Sequence, residues 1–212
     1  MDDSWWLEHI FAKSLADKTN PADAKLVASL RPHEVIGLIT RLFSNCGKLL
    51  LPYSDEQIGE GLVFIAAGGE SDWMRYIYDP TIDRQSRFEC IDSIEIVYRD
   101  CFARRCINEV FVNSRPLSTV CYMWWDRFPN GGANSTESES ATIDVKLVEL
   151  MGRALQIEHL ACQHSLLHGL GHWHTSDKDL TSNIISDWLE KHPHVPPSLR
   201  KYAEGARSGN VM

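Results

Sequence analysis

Four of the nine histidines of this chain fall in one stretch, ACQHSLLHGLGHWH (161–174). His164 and His168 are four residues apart. On a helix that spacing puts two imidazoles on one face, which is half of a helical zinc site. His172 follows one turn later, about 40° further round. His172 or His174 would supply a third nitrogen ligand, and Cys162, Glu158, Asp177 or Asp179 could add one by folding back. The zinc-protease pattern places a glutamate, the general base, directly after its first histidine. Ser165 stands there instead, so proteolysis lacks its base.

The same residues also read as packing. At about 100° per residue, an apolar stripe runs through Leu150, Ala154, Ile157 and Ala161, and its next members are His164 and His168. Both histidines then sit on the buried side of a long helix, hydrogen-bonded to a neighbour. Gly169 and Gly171 each cost about 1 kcal/mol against alanine inside a helix. A close neighbour over this turn offsets that cost; the segment from Ser176 to His192 is the expected one. Alternatively the helix ends here, with Gly171 left-handed.

Other candidates are fewer. The run CYMWWDRF sets Trp124, Trp125 and Asp126 at a helix end. Adjacent tryptophans point about 100° apart, so one is expected in the core and the other is a candidate interaction anchor. Trp5 and Trp6 pose the same choice, with core favoured. GEGLVFIAAGGE has the glycines of a phosphate loop but neither Lys-Ser/Thr nor a preceding strand. Cys162 and Ser165 neighbour histidines, yet no strand-to-helix elbow surrounds them, so a nucleophile–base pair is not expected.

Prolines and small polar residues define the elements that must hold these side chains. Asn20-Pro21, Arg31-Pro32 and Ser114 to Pro116 open helices. Ser54 with Gln57 three residues on is a capping box, and Ser71 heads a short helix. The segment from Asp83 to Cys106 has roughly helical spacing, although its IEIV could pass for a strand. A polar Gly/Ser-rich loop is expected at 129–140. A long helix follows over about 141–173, then one headed by Ser176 and Asp179, then a tail helix, SLRKYAEGAR. No alternation of period two is convincing. The expected fold is one all-α domain over 1–212. Its antiparallel helix pairs form either a HEAT/armadillo-like α-α superhelix or a globular helical bundle.

The 212 residues carry a net charge of −8, which opposes general binding to nucleic acid or to an anionic membrane. The first residues, acidic and interrupted by charges, do not read as an export signal, and no run suits a transmembrane helix. The six cysteines, Cys46, Cys90, Cys101, Cys106, Cys121 and Cys162, form no CxxC pair and lie among apolar residues. They are expected to be buried reduced thiols of a cytoplasmic protein.

Three segments together, YSDEQIGEGL (53–62), CYMWWDRFP (121–129) and ACQHSLLHGLGHWH (161–174), resemble a family of bacterial all-α proteins of unassigned activity. The resemblance spans most of the chain and implies HEAT-like helix pairs. It rests on His168, Gly169, Gly171, His172 and Trp173 rather than on His164. Two functions remain open. One is a non-enzymatic scaffold that binds a protein partner through Trp124, Trp125, Asp126, His168, His172 and Trp173, with no cofactor. The other is a metal-binding protein or metal-dependent hydrolase, with zinc on His164, His168 and His172.

Overall fold

Local chemistry sets most helix starts. In a computed structural model, which describes residues 4–13, 29–67, 71–110, 115–129 and 138–211, α1 (Ser4–Leu7) runs into a π turn, Glu8–Ala12. Helix α2 (Pro32–Ser44) has proline at its first position, and the Glu34 carboxylate accepts the Arg31 N–H at 2.8 Å. A single turn, α3 (Cys46–Leu49), follows. Helix α4 (Asp55–Ala66) carries the full capping box. Ser54 Oγ accepts the Gln57 N–H at 3.2 Å, and Gln57 Oε1 accepts the Ser54 N–H at 3.0 Å. The expected helix at Asn20-Pro21 and most of the loop at 129–140 lie outside the described residues.

Ser71 Oγ accepts the Trp73 N–H at the head of a 3-10 turn, Trp73–Tyr78. Helix α5 (Arg84–Val97) continues through a π turn, Tyr98–Phe102, to Arg105, so IEIV is helical. Helix α6 (Pro116–Met123) runs into a 3-10 turn, Trp124–Arg127. Then come α7 (Ser138–Ala154), α8 (Leu160–Trp173), α9 (Lys178–Lys191) and α10 (Pro197–Ala206). The described residues contain no strand, so the fold is all-α.

Two expectations about the histidine segment are corrected. The helix over 141–173 is two helices, broken across 155–159. No glycine or proline marks the break. It is held from a distance: Trp188 Nε1 donates to the Leu155 carbonyl at 3.1 Å, and the Leu160 N–H donates to Asn108 Oδ1 at 2.7 Å. A stripe extrapolated from Leu150 to His168 therefore crosses a change of axis. Nor is α9 headed by Ser176 and Asp179; Asp177 is its N-cap, accepting the Leu180 N–H.

The central element is α8. Every residue from Ala161 to Gly171 is buried, because α6, α7, α10 and the 124–127 turn all pack on it. A helix enclosed on all sides tolerates polar residues only with partners. Ser165 has them: its hydroxyl lies 2.8 Å from the Tyr98 hydroxyl and donates to the Cys121 carbonyl. All six cysteines are free and buried. Among the described residues no helix is long and apolar enough to cross a membrane.

Candidate metal centre

Gly169 makes the site possible. A Cβ built there would lie 2.6 and 2.7 Å from Trp125 Cγ and Cδ1, and 2.8 Å from Met151 Sδ. Without a side chain, α8 lets the Trp124–Arg127 turn come close. Trp125 is buried against Tyr98, Phe128 and Trp173, with ring centroids 6.3, 4.8 and 5.7 Å away. Its neighbour Asp126 is thereby delivered to the histidines one turn apart on α8. The expected close neighbour is real, but it is this turn and α7 rather than α9.

Gly171 serves a different contact. It lies within α8, with no left-handed backbone. A Cβ there would meet Val211 at 2.4 Å. Val211 reaches it because Gly209, at φ +73°, turns the chain back after α10. A positive φ of this kind suits glycine.

Three atoms converge at Asp126. Asp126 Oδ1 lies 2.9 Å from His168 Nε2 and 2.9 Å from His172 Nε2, and the two Nε2 atoms are 3.1 Å apart. Among the described residues this is the one such group of three whose atoms could hold a metal ion. Behind it, His168 Nδ1 lies 2.6 Å from the Tyr202 hydroxyl on α10, which in turn is 3.1 Å from the Tyr122 hydroxyl on α6. The His168 side chain is 3% exposed, Asp126 21% and His172 44%. The group thus has a sealed wall and an open side.

The electrostatics fit this division. Burial pushes the His168 pKa down; the Asp126 carboxylate opposes the shift without cancelling it. Burial, aided by His168, takes His164 down to about 4. Both imidazoles are therefore neutral near pH 7, the form that offers a ring nitrogen to a metal. Burial first, and then the contact with Tyr122, raises the Tyr202 pKa, so its hydroxyl stays protonated.

Several expectations are corrected by this geometry. His164 stands outside the group of three. The Tyr122 ring lies across both His164 and His168, at 4.7 and 4.5 Å, and Tyr202 meets His164 edge-on at 4.3 Å. Of the alternatives, His174 turns to Thr181 Oγ1 at 3.2 Å, Cys162 lies in the core against the Tyr98 carbonyl, and Asp177 caps α9. Trp124, Trp125 and Trp173 are 0%, 1% and 3% exposed, so none is available as an interaction anchor. Trp6 is buried, as favoured. Asp126, read only as a binding residue, completes the triangle. Tyr122 and Tyr202 carried no sequence signal, since a tyrosine's role here depends on which helix faces α8.

No family model, curated protein or solved structure matches the chain.

Proposed function

We propose that this chain is a metal-binding protein, with a divalent transition-metal ion held by Asp126 Oδ1, His168 Nε2 and His172 Nε2. The observation that carries the reading is the triangle of edges 2.9, 2.9 and 3.1 Å. Ring nitrogens and a carboxylate oxygen this close share either ring N–H groups or a cation between them. One N–H serves one edge. If both imidazoles carry their proton on Nε2, both bonds converge on one oxygen and the two N–H groups face each other. An ion serves all three edges at once.

Tyr202 supports the ion. A metal-ligating histidine usually donates its other ring N–H to an acceptor, which fixes tautomer and orientation. With Nε2 on the metal, His168 carries its proton on Nδ1 and donates it to the Tyr202 oxygen. Tyr202 then donates to Tyr122. The buried thiols fit a cytoplasmic location as part of the same proposal.

The scaffold reading loses one of its motives, because Trp124, Trp125 and Trp173 are buried. Hydrolase chemistry would need a general base beside the ion, and the residue after His168 is Gly169. The direct experiment is metal analysis of untagged protein, reconstituted with ferrous, manganous or zinc ion and dialysed. One ion per wild-type chain and none in His172→Ala is expected. Equal content in both proteins would defeat the proposal.

A further inference from the structure

The triangle also speaks to coordination number. At a metal–ligand distance of about 2.1 Å, ligands at right angles lie about 3.0 Å apart, and ligands at the tetrahedral angle about 3.4 Å apart. The observed edges are 2.9, 2.9 and 3.1 Å. All three match an octahedral face, and none matches a tetrahedral one.

Three further observations agree. No fourth histidine, cysteine or carboxylate among the described residues joins the group. The opposite octahedral face, three mutually adjacent positions, is then left to exogenous ligands. The donors are two imidazoles and one carboxylate, without thiolate. That combination with open positions is the one iron(II) takes in non-haem sites; catalytic zinc takes it as well, but as a tetrahedral set with one open position, which the edges do not match. The exposure is graded, from 3% at His168 to 44% at His172. Outside molecules therefore have access from the His172 side, while His168 and its tyrosine pair close the other.

Resting on the metal reading above, we infer that the resident ion is six-coordinate iron(II) and that its open face binds a small molecule chelating through two oxygen atoms, such as a 2-oxo acid, a hydroxamate or a catechol. A chelate fills two adjacent open positions and leaves the third for another small ligand. A tetrahedral zinc site with one open position could not accept such a ligand without changing its coordination number.

The test uses the full untagged chain and cobalt(II), whose visible bands are weak when six-coordinate and intense when four-coordinate. Cobalt uptake is first measured by equilibrium dialysis. The bound-cobalt spectrum is then recorded, and acetohydroxamate is titrated in. The expected result is one cobalt per chain, weak bands, and a spectral shift that saturates at one acetohydroxamate per ion. Failure to bind cobalt would overturn the metal reading and this inference with it. One bound cobalt with intense bands would leave the metal reading standing and overturn six-coordination. Weak bands that acetohydroxamate does not move would overturn the chelating ligand.

Discussion

Replacing Gly169 with alanine probes how the fold builds its site. The added Cβ would sit 2.6–2.8 Å from Trp125 and from Met151 Sδ, where carbon–carbon contacts are normally about 3.5–4.0 Å. Something must move by about 1 Å. Trp125 is 1% exposed and enclosed by Tyr98, Phe128 and Trp173. Met151 is fully buried. Overpacking of this kind costs about 1–3 kcal/mol, and alanine's better helix propensity returns about 1 kcal/mol. The net expectation is a loss of about 0–2 kcal/mol, together with weaker metal binding, because Asp126 moves with Trp125. Gly171→Ala is the control. Its Cβ meets Val211 even closer, at 2.4 Å, but Val211 is only partly buried, so its side chain can swing away. That variant should match or slightly exceed wild-type stability and keep its metal affinity. Urea unfolding and metal titration of the three proteins decide the matter. If Gly171→Ala proves the more damaging, or Gly169→Ala binds metal as tightly as wild type, the coupling of Gly169 through Trp125 to Asp126 is wrong.

Three further outcomes follow from the same packing. His164 falls from an ordinary value of 6.5 to about 4 through burial and His168. A depressed imidazole contributes stability that is complete above about pH 6.5 and is lost as pH falls toward 4, about 2 kcal/mol of it by pH 5. Urea unfolding of metal-free protein at pH 7.5 and 5 should show this loss, and His164→Gln should reduce it; equal slopes in both proteins would count against a buried neutral His164. Tyr202→Phe removes the partner of His168 Nδ1 and should weaken metal binding about 10–100-fold in a competition titration, whereas unchanged affinity would deny Tyr202 its supporting role. The six buried thiols, with burial raising Cys46 to about 11 and Cys90 to about 12, should resist a disulfide reagent in the native protein and all react in denaturant; fewer than six in denaturant would reveal a disulfide.

The parts of the fold legible in the sequence are those whose signals are local. Pro32 and Pro116 each stand in the first turn of a helix, and Ser54 with Gln57 forms the capping box their spacing predicts. The break between α7 and α8 was not legible, because its backbone groups are satisfied by Trp188 and Asn108, residues 33 and 52 positions away. The site divides in the same way. His168 and His172 were visible as neighbours on one helix. Their third partner, Asp126, lies 42 residues before His168 and belongs to a turn whose place depends on two buried tryptophans. His164 had the right spacing, but it lies outside the group that Asp126 forms with His168 and His172.

The central claim is that Asp126, His168 and His172 together hold an ion, and His172 is the ligand to remove. Its side chain is 44% exposed, so His172→Ala should leave the metal-free fold intact. An ion bound only by the native state stabilises it by about 2.7 kcal/mol at a hundred times its dissociation constant. Thermal denaturation of wild type and His172→Ala, each with ferrous ion under anaerobic conditions and again with chelator, reads this directly. Equal melting temperatures with chelator, a rise with ion in the wild type, and no rise in the variant are expected. No rise in the wild type, or the same rise in both, would contradict the claim.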